Sequence, residues 1–255
     1  MKKSNKILIA IIVIVFLFNL GFILFSVFLP NRGNGKYIQE TRQLDCFNKI
    51  VVSGTFSVKV VEGKTSSIKI KADSNIINYI TSNVNNKTLR IYYDRSIATQ
   101  KVYITVTTKA LKYIRLESPS YVLLDNIDLK NLDIVAILQD STGTPMLKTT
   151  GSVEHLKLNC SSYSKMDFKD LKCKTANIKM YGNCTVKTNA ASVSAYINGN
   201  CKLIYFGNSK IVNPQVINGG RVIKYGSKKY KIESPDRTLW VSYHHFINTL
   251  FHLFR

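Results

Sequence analysis

The chain has 255 residues, 45% of them hydrophobic, and carries 36 lysines and arginines against 15 aspartates and glutamates, a formal charge of +21. That length suits one sizeable domain with appendages. The charge draws anionic polymers, but no block of five consecutive Lys/Arg marks a nucleic-acid tract, and five cysteines without a CxxC spacing argue against zinc.

Residues 1–6, "MKKSNK", precede a run without charge from Ile7 to Leu29. At about 1.5 Å per residue it reaches roughly 35 Å, enough to cross a hydrocarbon core of about 30 Å. It exceeds the apolar core of a secretory signal, and "FSVFLP" lacks a small-residue cleavage site. A single-pass membrane anchor over 7–29 is expected, the alternative being a long cleaved signal. Lys2, Lys3 and Lys6 favour a cytoplasmic N-terminus, although Arg32, Lys36 and Arg42 follow the span closely. The body is then expected to be periplasmic or extracellular, after a polar linker over 30–43.

From residue 44 the pattern is alternation. "NKIVVSGTFSVKVVEG" reads as two strands broken at Ser53-Gly54, and "SSIKIKAD" and "KTLRIYYD" follow, with Asn85-Asn86 as a turn. "NIINYITSNV" fits a helical turn or a loop. Val, Ile, Tyr and Thr dominate, types that suit a pleated surface. Lysines at alternate positions read first as the solvent face of these strands.

Repeats then emerge. Ile114-x-Leu116, Ala136-x-Leu138, Leu158-x-Cys160, Met180-x-Gly182, Ile197-x-Gly199 and Ile217-x-Gly219 share one phase. The predicted fold is all-β: a parallel β-helix or β-solenoid of about 17–22-residue coils over 44–228, each coil completing its core on the next. Gly182, Gly199 and Gly219 fall where the chain bends between faces. Cys184 and Cys201 share a column, and adjacent strands lie about 4.8 Å apart, inside the Cα range a disulfide accepts. A staple between coils and a pair of reduced, buried thiols are both open readings. The odd cysteine count leaves one unpaired or bridging chains.

The tail, 229–255, changes character. Ser234-Pro235-Asp236 is a helix start, after which Leu239, Trp240, Tyr243, Phe246, Ile247, Leu250, Phe251 and Phe254 share one face. This predicts an amphipathic helix. It either caps the open end of the solenoid or contacts a membrane surface or a partner.

Catalytic chemistry is hard to place. Asp125, Asp128, Asp133 and Asp140 are the densest acids, and read as solvated loop residues rather than converging carboxylates. His155 stands alone at the start of a coil. His244, His245 and His252 lie on the polar face of the tail, where a metal site is the weaker reading. No GxSxG, P-loop or HExxH motif occurs. No enzyme, cofactor or metal is expected.

"FNKIVVSGTFSVKVVEGKTSSIKIKADSNIINYITSNVNNKTLRIYY", Phe47 to Tyr93, resembles the opening of the head GIN domain family, whose members are described as auto-transporter adhesins. "TVTTKALKYIRLESPS" and "ASVSAYINGNCKLIYFGNSKIVNPQVINGG" match its style, so the resemblance covers roughly 46–226. Gly182-Asn183-Cys184 and Gly199-Asn200-Cys201 stand where the family has Gly-Ser-Gly turns, and Tyr205-Phe206-Gly207 stands in place of its Tyr-x-Gly. The resemblance implies a bacterial envelope protein with a β-helix-like stack, and it carries over no catalytic residue. The long apolar run, the basic charge and the tail depart from common members.

Two functions follow as expectations. One is a membrane-tethered adhesion or ligand-binding module for an anionic envelope glycan or a protein partner. The other is a structural envelope scaffold whose tail docks a partner or the membrane surface. A clustered Lys/Arg/Tyr stripe on the lateral surface would favour the first, a uniform scatter the second.

Overall fold

The computed structural model describes residues 11–21, 31–94, 97–98, 102–138 and 143–226. Residues 11–21 are helical, which at 1.5 Å per residue spans about half of a bilayer core. Among the described residues no helix is long and apolar enough to cross a membrane. The single-pass anchor expected over 7–29 is not found among the described residues, whose helix covers residues 11–21 of it. The expected C-terminal helix and all its named residues lie outside the described residues. The chain divides into two units, Met1–Ile223 and Lys224–Arg255.

Alternating residues supply nineteen strands in the described residues. The first nine are β1 (Asn31–Arg32), β2 (Tyr37–Gln43), β3 (Lys49–Ser53), β4 (Ser57–Glu62), β5 (Ser67–Asp73), β6 (Ile80–Asn85), β7 (Thr88–Tyr93), β8 (Ile97–Ala98) and β9 (Tyr103–Thr108). The others are β10 (Tyr113–Leu116), β11 (Tyr121–Ala136), β12 (Met146–Cys160), β13 (Lys165–Phe168), β14 (Leu171–Tyr181), β15 (Thr185–Thr188), β16 (Ser192–Asn198), β17 (Lys202–Tyr205), β18 (Lys210–Ile217) and β19 (Arg221–Lys224). β1 and β8 pair by themselves, and the other 17 strands form one sheet.

That sheet is mixed, so the expected all-parallel β-solenoid over 44–228 is overturned. β2 runs antiparallel to β5, β5 to β9, and β6 to β7. For β6 and β7 the physical reason is local. Asn86 and Lys87, between β6 and β7, both take positive φ, 48° and 58°. A two-residue turn of that hand matches the twist of antiparallel neighbours. β2 comes from the polar stretch expected to be a linker. It pairs with β5 from Tyr37 to Gln43, and Arg42 anchors it by donating from Nη1 to the Ile80 carbonyl, 2.6 Å away.

Beyond residue 112 the pairing is parallel. β10, β11, β12, β14, β16 and β18 follow one another in one ladder. β11, β12, β13, β15 and β17 form a second. The long strands β11 and β12 belong to both. Their inward residues stack in columns. Ile50, Ile114, Ile134, Leu158, Ile178 and Ala195 are level with one another, and all are buried in one continuous core. Each large aliphatic side chain in such a column stabilises the fold by roughly 1.5–3 kcal/mol.

The phase of the early columns differs from the sequence expectation by two residues. Leu116, Ala136, Cys160, Met180 and Ile197 are level, whereas the pattern placed Ala136 and Met180 beside Ile114 and Leu158, which share the neighbouring column. A slip of two leaves every apolar residue inward, so alternation alone does not forbid it. Ile197 pairs with Val216 rather than Ile217, because the register shifts between Ser194 and Tyr196. The turn glycines are where they were expected. Gly199 has φ +102°, and a β-carbon there would stand 2.5 Å from the Gly182 carbonyl oxygen. A side chain would have to push two successive turns apart.

Candidate functional site

Strands β11, β12, β14 and β16 send alternate residues inward, so the residues between them form an outer face. Leu156, Ala176 and Val193 are buried; His155, Lys157, Thr175, Asn177 and Ser194 are exposed. Register arranges the outer residues in rows. Asn131, His155, Thr175 and Ser192 are level, and so are Asp133, Lys157, Asn177 and Ser194. The short serines, Thr175 and Asn177 lie beside the longer His155 and Lys157, and a shallow groove of about 250 Å³ opens between them.

The groove is a field of hydrogen-bonding groups. Hydroxyls, amides, one imidazole, one ammonium and one carboxylate recur at the strand spacing of about 4.8 Å. His155 Nδ1 lies 2.8 Å from Thr175 Oγ1. Glu154 Oε2 is 4.0 Å from Nε2 of the same ring, beyond hydrogen-bond reach. The imidazole is therefore held from one side only. A solvated contact of this kind does not make an oriented base for an activated hydroxyl.

The acids read from the sequence do not converge here. Asp125 pairs with Lys59 at 2.9 Å. Asp128 accepts from the Ser152 hydroxyl, and only Asp133 lines the groove. Asp140, His244, His245 and His252 lie outside the described residues, as do Trp240, Tyr243, Phe246, Ile247, Leu250, Phe251 and Phe254. Among the described residues no group of three or more His, Cys, Asp or Glu is placed to hold a metal ion.

Cys184 and Cys201 do meet. The Cys184 N–H donates to Cys201 Sγ at 3.3 Å, while the Cys201 thiol donates to the Gly182 carbonyl at 3.3 Å. Both are free thiols, fully buried. Cys160 is the third member of this cluster, which the column pattern missed because Cys160 is level with Met180, four residues short of Cys184. The Cys160 thiol, as hydrogen-bond partner, brings Cys184 down to about 7 against the opposing effect of burial. The same partnership, and burial, push Cys160 up. Burial raises Cys201 to about 11.

Next to the groove the face becomes aromatic. Lys179 and Tyr181 continue the outer row of β14, and Tyr196 and Asn198 that of β16. The rings of Tyr181 and Tyr196 are tilted at 46° with centroids 5.6 Å apart. Here one lysine adjoins two tyrosines. On the other ladder Lys148, Lys165, Lys187 and Lys202 are spread over four strands, and Lys148 is tied to Asp170 at 3.3 Å.

The chain is thus a mixed β-domain with a polar and aromatic outer face. The chain belongs to the family described as "Putative auto-transporter adhesin, head GIN domain", which matches residues 46–209. Its fold is similar to that of a putative adhesin from Bacteroides fragilis, with a TM-score of 0.59 at 20% identity, over 76% of this chain and 99% of that one. A putative lipid binding protein from Parabacteroides distasonis matches at TM-score 0.46 and 14% identity, over 77% of this chain and 99% of that one. A putative adhesin from Parabacteroides merdae matches at 0.45 and 17%, over 76% and 98%. No curated protein matches the chain. The family description is that of an adhesin and names no enzyme.

Proposed function

We propose that this chain is a surface adhesion module that binds an extended, hydroxyl-rich anionic polymer, of the class of envelope glycans, across the outer face of β11, β12, β14 and β16. The observation that carries this reading is the groove itself. Its polar side chains repeat from strand to strand in two rows, as suits a ligand whose own groups repeat along a chain. Lys157 supplies positive charge within the groove and Lys179 beside it, and the overall charge of +21 draws an anionic polymer toward the surface. The family description supports a cell-envelope or surface location for the working domain.

The test is binding of the full-length chain to oligogalacturonate across a salt series. Saturable binding that weakens with salt and discriminates against a sulfated polymer of equal charge density is expected. Lys157→Gln should weaken it by about three- to tenfold and flatten the salt dependence. Binding that follows charge density alone, or its absence at low salt, would overturn the reading.

A further inference from the structure

We infer that Tyr181 and Tyr196 form a stacking platform for a sugar ring of the same glycan chain that occupies the groove. This rests on the groove reading and adds to it the residues that select a pyranose ring over other anionic polymers.

The geometry is as follows. Tyr181 is 37% exposed and Tyr196 is half-buried beside it on the next strand, so the pair offers an aromatic surface that the core does not use. The rings are tilted rather than stacked face to face, with centroids 5.6 Å apart. The pair therefore forms a shallow angled seat. The C–H-rich face of a pyranose is apolar and rests on such aromatic surface, while its equatorial hydroxyls project sideways. Polar groups flank the seat to receive them. Lys179 is level with Tyr196, and Asn198 is level with Tyr181. The Asn198 amide is itself oriented, its Oδ1 accepting from Asn218 Nδ2 at 2.8 Å.

The seat is continuous with the groove. Tyr196 is two residues along β16 from Ser194, about 7 Å at the rise of a strand, and Tyr181 is four residues along β14 from Asn177, about 13 Å. One short oligosaccharide spans both. A single-stranded nucleic acid would also stack on aromatic rings, but it requires a basic track for its phosphates. Asp133 lies in the groove, level with Lys157, and acts alike on any anionic polymer, so binding of an oligonucleotide is the competing outcome of the test. A merely structural role would make the two tyrosines a cross-strand pair that steadies β14 against β16. That role changes stability and leaves affinity alone.

The experiment measures binding of the full-length chain to a galacturonate oligosaccharide and to a single-stranded oligonucleotide of similar charge, at low and high salt. Tyr181→Ala is expected to bind the sugar about tenfold more weakly at both salt concentrations, and Tyr181→Phe to stay within about twofold. Tyr181→Leu, which keeps an apolar strand residue without a flat ring, should behave like Tyr181→Ala, and it carries the test if the alanine variant does not fold. Wild-type affinity in Tyr181→Leu, with binding weakened in Lys157→Gln, overturns the platform and leaves the groove reading intact. Sugar that binds no wild-type protein overturns both. Tyrosine-dependent preference for the oligonucleotide overturns the sugar as occupant.

Discussion

The two halves of the sheet solve the same problem differently. Up to β9 the strands turn back on themselves, and antiparallel pairs brace the parallel ones. Beyond β9 each strand is laid parallel on an earlier one, and stability comes from columns of like residues. In the first half the β6–β7 hairpin is specified locally, by the Asn86–Lys87 turn that fixes its own register, while β2 and β9 both pair with β5 across longer stretches of chain. The second is specified over long range, by glycines and inward aliphatics that make sense only once neighbouring strands are in place. The outer face of this second half is free to carry function, because its inward residues already hold the register.

The sharpest way to break this comparison is to weaken the second half and watch the first. Buried residues of both belong to one core, so the two should unfold together. Ile178→Ala removes a fully buried member of the central column and should destabilise the whole domain by about 2–5 kcal/mol. Denaturant unfolding followed by circular dichroism should show one shifted transition. Two separate transitions would mean that the halves are independent.

Alkaline pH should also act through the second half, with a smaller effect. Cys173 is pushed up to about 11 by burial, above its unfolded value near 9. The folded state therefore resists ionising this thiol. Its contribution is fully present below pH 9 and is lost as pH rises from 9 through 11. The melting temperature of the wild type should fall relative to Cys173→Ala over that window, with a constant difference between pH 6 and 8. A difference that is flat up to pH 11 would show that the thiol is solvated.

The smallest effect is expected at the hairpin of the first half. Lys87 holds φ 58° without being glycine, and Lys87→Gly relieves that strain at some cost in chain entropy. A change within about 1 kcal/mol is expected from chemical denaturation, and a large loss would show that Lys87 has a role beyond the turn.

How much of this was legible in the sequence follows from the same contrast. Strand identity was legible, since alternation alone marks Leu156, Leu158, Ala176 and Ile178 as inward. Turn chemistry was legible at Gly182 and Gly199. Register was not, because a slip of two residues keeps every apolar side chain inside. β2 was hidden by its polar residues: it runs along β5 with half-exposed Glu40 and Arg42 making an ion pair of 2.7 Å, so it lacks the apolar alternation of a core strand. The groove could not be found from sequence spacing. Asn131, His155, Thr175 and Ser192 come from four strands and meet only through register. The nearest sequence signal was the lysine and tyrosine clustering of "NIKMYG" and "AYING".

The step from Gly182 to Gly199 has one more consequence. Cys184 and Cys201 are separated by 17 residues, and the strands on either side of this step are already in matching phase. The rung before it also keeps one step in both ladders, from Cys160 to Met180 and from Lys165 to Thr185, whereas the next shifts register between Ser194 and Tyr196. The segment from Cys184 to Cys201 is the shorter of the two units of growth. Duplicating it in tandem would lengthen the molecule by one strand spacing and add one more row to its outer face, while leaving the hairpins of the first half undisturbed.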